Sequence, residues 1–131
     1  LPEDLSSLGA VVRRVVAALK EEGFVVMFQV GTVASARQAV RDGADVLVVQ
    51  GCDAGGHQFA GGAGVVSLVP EVVDMLEGEE EGGSGKVVVV AAGGIVDGRG
   101  VAAALALGEF FSLGKLIVCV VGCLFVCLFV C

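Results

Sequence analysis

Along the chain the apolar positions switch between two rhythms. From Leu5 to Glu22 they fall at Leu5, Leu8, Val12, Val15, Val16 and Leu19, close to a helical period, and Gly23 follows as a C-cap. Phe24 to Val30 (FVVMFQV) is then a nearly unbroken apolar run, as expected of a short strand buried on both faces. Thr32 or Ser35 can cap a second helix that passes through Ala36, Ala39 and Val40 and stops near Gly43. The unit repeats. Asp45 to Gln50 reads as a second strand, Gly51 to Gly64 as a long glycine-rich loop, and Ser67 to Leu76 as a helix with Pro70 in its first turn. An acidic, glycine-rich connection covers Glu77 to Gly85. Lys86 to Ala92 is a third strand, followed by Gly93-Gly94 and a helix from about Gly98 to Leu107.

Strands alternating with helices of this size call for an α/β fold of parallel βαβ units with right-handed crossovers. An open doubly wound sheet and a (β/α)8 barrel both satisfy that pattern. Three strands cannot close a barrel, which usually takes about 250 residues. Periodicity alone therefore favours the open sheet.

Composition changes the picture at the C-terminus. The chain has 131 residues, within the range of one domain, but its hydrophobic fraction of 56% exceeds that of ordinary soluble domains. Part of the excess is the run from Leu116 to Cys131, which is uncharged and contains Leu-Phe-Val-Cys twice in tandem. Its cysteines at 119, 123, 127 and 131 do not have the spacing of common zinc motifs, and no metal site is expected. The run is shorter than the roughly 20 residues of a typical spanning helix. A membrane anchor, translated non-coding sequence and a buried helix or strand are the three readings of this tail, with membrane association not favoured. We divide the chain at residue 108, into 1–108 and an apolar, cysteine-rich 109–131.

The net charge of −7 owes much to Glu77, Glu79, Glu80 and Glu81, which read as a solvated loop. There is no basic stripe and no Trp or Tyr, which excludes a nucleic-acid partner. Residues 1–108 hold one cysteine, Cys52, so no intramolecular disulfide framework is expected there. That fits a reducing cytoplasmic or organelle interior. Leu1 opens the chain without a signal pattern; the sequence is either processed or begins inside something longer.

In parallel α/β folds the ligand sits at the carboxyl ends of the strands. The second strand here runs into Gln50, Gly51, Gly55, Gly56 and His57, and the third into Gly93 and Gly94. His57 is the chain's one histidine. It can be a surface loop residue of no consequence. The sharper reading is a general base, because it ends a Gly-Gly step and an imidazole exchanges protons near neutrality. Gly93-Gly94 can be a simple turn or a phosphate seat, where bare backbone N–H groups and a helix N-terminus meet an anion. Asp97 and Arg99 flank that helix start and receive no role.

The stretch Asp45-Val-Leu-Val-Val-Gln-Gly-Cys-Asp-Ala-Gly-Gly-His57 resembles the signature strand and loop of the nitronate monooxygenase family, formerly the 2-nitropropane dioxygenases. Ala91-Ala-Gly-Gly-Ile-Val-Asp-Gly-Arg-Gly-Val-Ala-Ala-Ala-Leu-Ala-Leu-Gly108 resembles its phosphate loop and following helix, and Gly31 to Ala44 matches more loosely. The resemblance reverses the preference for an open sheet. It implies a partial TIM (β/α)8 barrel of about three βα units, equivalent to the family's fifth to seventh strands. It also implies FMN as cofactor, lined by Gln50 and Gly51 with Gly55 and Gly56 in the adjoining loop. His57 would be the base, and Ala92, Gly93 and Gly94 would hold the phosphate. Asp53 stands where the family commonly has Glu. The implied reaction takes an alkyl nitronate and O2 to a carbonyl compound and nitrite. The family's amino-terminal strands are absent, and no eighth strand with a Gly-Thr turn is expected after Gly108. A flavin-dependent enoyl reductase of the same superfamily and a non-catalytic, membrane-associated remnant are the alternatives.

Overall fold

The computed structural model describes residues 5–79, 87–107 and 116–118. The elements are α1 (Leu5–Glu21), β1 (Met27–Val30), α2 (Val33–Arg41), β2 (Val46–Gln50), α3 (Val65–Glu79), β3 (Val88–Ala92), α4 (Gly98–Leu107) and β4 (Leu116–Val118). The strands form one sheet in the order β1-β2-β3-β4, and every pairing is parallel. This is the sheet-and-helix repeat of a partial (β/α)8 barrel.

Register explains where the core lies. Val30, Val49 and Ala91 stand abreast, as do Phe28, Leu47 and Val89. These rows share one face and pack against Ala36 and Ala39 of α2, Leu68, Val69, Val72 and Val73 of α3, and Ala104 of α4. Burying a Val or Leu side chain fully contributes about 1.5–3 kcal/mol, so this apolar layer is the main source of stability. Helix α1 is attached differently. Val16 packs on Gly43, where a Cβ would meet the valine methyl at 3.1 Å. The rest is polar: Arg13 pairs with the buried Asp42 at 3.1 Å, and Lys20 reaches Asp45 at 2.8 Å and the Gly43 carbonyl at 2.9 Å. Val11 and Val15 of the same helix remain exposed.

Three expectations change. Phe24 and Val25 lie outside β1 and are exposed, since the chain reaches the sheet only at Met27. Helix α3 starts at Val65 rather than Ser67, which puts Pro70 beyond the first turn. The reason is a cap supplied from a distant residue, described below. The three readings of the tail narrow at its start to a strand, because Leu116, Ile117 and Val118 pair with Val89, Val90 and Ala91. An apolar run is compatible with helix or strand. The unpaired edge of β3 selects the strand, since a paired edge satisfies backbone groups that would otherwise be orphaned. The rest of 109–131, including its cysteines, lies outside the described residues. Among the described residues, no helix is long and apolar enough to cross a membrane, and no cluster could hold a metal ion.

Candidate functional site

Parallel strands put all their carboxyl ends on one edge of the sheet, so the loops after β1, β2 and β3 converge. The loop after β2 is the long one, and its shape follows from where its backbone groups are satisfied. Gly51 N–H donates to the Ala92 carbonyl at 2.9 Å, which prolongs the β2–β3 ladder one step past the strand. Cys52 N–H donates to Ala63 at 2.9 Å, closing the loop's two ends, and Ala54 N–H turns back to Gly51 at 3.0 Å. Gly56 has φ +80 and Gly61 φ +73, conformations that a side chain resists. Phe59 lies directly over Gly31 at the end of β1, with its ring 2.6 Å from where a Cβ would stand. Glycine at 31 is what lets the β2 loop lie down on the β1 loop.

Asp53 ties the loop to its surroundings. Its two carboxylate oxygens accept from Val65 N–H at 3.2 and 3.3 Å. The residue in the N-cap position is Gly64, which has no side chain to offer, so an acid twelve residues upstream does the capping. A carboxylate there also meets the positive end of the helix dipole. The same carboxylate fills the space beside three glycines. A Cβ on Gly51 would collide with Asp53 Oδ1 and the Val65 backbone. One on Gly93 would lie 2.7 Å from Oδ1, and one on Gly94 3.3 Å from Oδ2. Asp53 therefore sits between the two glycine turns. A cap so far away in sequence leaves no local signal.

Gln50 ends β2 and is 8% exposed. Its Nε2 donates to the His57 carbonyl at 2.9 Å, while its Oε1 accepts from Gln29 Nε2 on β1. Gln29 was read as one residue of an apolar strand; the signal was its being the lone polar side chain in that run. His57 itself is exposed at the mouth of the loop. Beside it a Cβ on Gly55 or Gly56 would meet nothing within 4 Å, so the loop there faces open space.

The second turn is also built of glycines, with the Asp53 carboxylate beside it. Gly93 and Gly94 have φ +133 and φ +62, which orient consecutive backbone groups as only glycine does readily. The N-terminus of α4 is not free, however. Asp97 Oδ1 accepts from Arg99 N–H at 3.0 Å and Gly100 N–H at 3.2 Å, and its Oδ2 accepts from the Arg99 guanidinium. Those bonds, the Arg99 side chain first, hold the Asp97 carboxyl below the usual carboxylate range. An anion at this turn would be met by the Gly93-Gly94 backbone more than by the helix end. The open backbone at Gly55-Gly56 leaves room for a flat ring, whereas the Asp53 carboxylate lies against the Gly93-Gly94 turn, and an anion there would have to displace it.

The parallel βα repeat, with glycine turns and a histidine in the loops at the carboxyl ends of its strands, is that of part of a (β/α)8 barrel. A sequence profile of the family described as nitronate monooxygenase matches residues 5–110, and the chain belongs to that family. It is 62% identical over 96 residues to a nitronate monooxygenase of Neurospora crassa, a match that covers 73% of this chain and 25% of the relative. Among solved structures, FabK from Thermotoga maritima superposes with a TM-score of 0.61 at 35% identity, covering 81% of this chain and 29% of that one. A nitroalkane oxidase from Streptomyces ansochromogenes gives a TM-score of 0.61 at 33% identity, covering 73% and 28%. The chain thus spans about a quarter of the length of the relatives it matches.

Proposed function

We propose that this chain carries part of the active site of an FMN-dependent nitronate monooxygenase, which converts an alkyl nitronate and O2 to a carbonyl compound and nitrite. The observation that supports it is the meeting, at one edge of the sheet, of the loop bearing the lone histidine with the Gly93-Gly94 turn. Both lie inside residues 5–110, the stretch matched by the family profile. FMN, when bound, supplies the electron acceptor that O2 then reoxidises. With a neutral nitroalkane as substrate, His57 takes the proton from the carbon bearing the nitro group and so forms the nitronate; a nitronate supplied as such needs no base. Gln50 and Gly51 border the ring, and Gly55 and Gly56 leave it room. The backbone at Ala92, Gly93 and Gly94 holds the phosphate, with the Asp53 carboxylate moved off the turn.

Mixing the 131-residue chain with FMN tests this directly. Quenched flavin fluorescence, flavin retention on a desalting column and nitronate-dependent O2 uptake are expected. With a neutral nitroalkane as substrate, the variant His57→Ala should lower uptake by about 100-fold or more, while uptake with the preformed nitronate is little changed. If no flavin is retained, the reading fails for this polypeptide. If uptake with the nitroalkane survives in His57→Ala, another group is the base.

A further inference from the structure

We propose that Gln29 is a positioning residue for His57, acting through the side chain of Gln50. The inference rests on the reading of His57 as the base, although its geometry stands apart from that reading. Gln29 pairs in register with Val48, so Gln50 lies two residues further along the neighbouring strand on the same face. The two amides form a chain: Gln29 Nε2 donates to Gln50 Oε1, and Gln50 Nε2 donates to the His57 carbonyl at 2.9 Å.

The direction of this chain is set by its last member. A backbone carbonyl can only accept, so Gln50 must turn its NH2 toward His57. Its own carbonyl oxygen is then left facing Gln29, which must turn its NH2 in turn. One accept-only atom thereby fixes both amides. Gln50 is buried, so water competes little, and an amide end without a partner there would be costly. The loop needs such a hold, because the two residues before His57 are glycines in open space, one of them at φ +80. A Gly-Gly step offers little resistance to rotation. The grip on the His57 carbonyl limits where the imidazole can point, and Gln29 holds Gln50 in the donating orientation by satisfying the other end of its amide. The plainer account is an ordinary half-buried strand residue whose contact with Gln50 has no consequence at His57.

Substitutions that change only donor and acceptor character separate the two. Glu is acceptor-only when ionised, and Lys is donor-only. The readout is the carbonyl 13C shift of His57 in the labelled full-length chain, which responds to loss of the bond it accepts. Gln50→Glu should move that signal, and Gln29→Leu and Gln29→Glu should move it in the same direction. Gln29→Lys should leave it near the wild-type position. The double variant Gln29→Leu/Gln50→Leu should match Gln50→Leu alone. A His57 carbonyl signal unmoved by Gln29→Leu and Gln29→Glu overturns the proposal. So does a Gln29→Lys signal displaced as far as that of Gln29→Glu. In the FMN-loaded chain, Gln29→Glu should lower kcat for oxidation of a neutral nitroalkane about three- to tenfold with KM little changed, the size of one hydrogen bond. If the wild-type chain retains no FMN but the carbonyl shifts follow this pattern, the proposed function falls and the relay stands. If FMN is retained and the shifts do not follow it, the relay falls and the function stands.

Discussion

On the face of the sheet covered by α2, α3 and α4, Val30, Leu47, Val49 and Ala91 are at most 2% exposed. On the opposite face Met27 is 54% exposed, and Val46, Val48 and Val88 are only half-buried. The same valine-rich strands supply both rows, so the difference comes from what lies against them. One face has its helices within this chain. The other would be the interior of a closed barrel, and the chain spans about a quarter of its relatives' length. The polar pair Gln29 and Gln50 belongs to this second face, which teaches that the sheet is divided by task. Its helix side supplies stability, and its open side carries Gln29 and Gln50, whose amides reach the loop that bears His57.

That division can be broken by substitution. Leu47→Ala should cost about 2–5 kcal/mol in urea unfolding, as buried leucine truncations do. Val48→Ala, one position along and on the other face, should cost about 1 kcal/mol or less. Equal losses would mean that the two faces contribute alike. Among the loop glycines, Gly51→Ala should cost about 1–3 kcal/mol, because a Cβ there meets Asp53 and the Val65 backbone. Gly55→Ala, in open space, should be close to neutral by the same measurement. A large loss at Gly55 would show that the loop packs more closely than described.

Smaller effects sharpen the picture of how the loop is fastened. Asp53→Ala removes the distant cap of α3 and should lower stability by about 1 kcal/mol, with faster amide exchange at Val65. Asp53→Asn, which can still accept one bond, should recover part of it; no difference between the two variants would sink the capping role. The smallest effect is expected at Asp45. Its carboxyl is held below the usual value of 3.8 mainly by the hydrogen bond from Lys20, then by the Val26 N–H. A depressed carboxylate adds stability that is fully present above the unfolded pKa and is lost as pH falls through the folded one. Thermal melts should therefore decline below about pH 4, and Asp45→Asn should flatten that decline. An unchanged slope in Asp45→Asn would place the acid sensitivity elsewhere.

The period of the apolar residues sufficed to place α2, β2 and α4 almost to the residue, because Thr32, Gly43 and the Gly93-Gly94 step are local signals with local consequences. The candidate site was legible in part, since Gln50, Gly51, Gly93 and Gly94 sit at strand ends and the turns are visible as glycines. What a string of residues could not contain was contact between loops far apart in sequence. Asp53 as the cap of α3, Phe59 on Gly31, and Gln29 behind Gln50 each depend on three strands ending at one edge. The start of α3 was misread for the same reason. The strand at Leu116–Val118 belongs with them, as an apolar run has no intrinsic choice between helix and strand until a neighbouring edge supplies partners. Sequence by itself determined the parallel βα repeat and the family, through periodicity and short motifs. Only the tertiary structure decided which face became core and which groups hold His57, because burial and hydrogen bonding depend on neighbours in space.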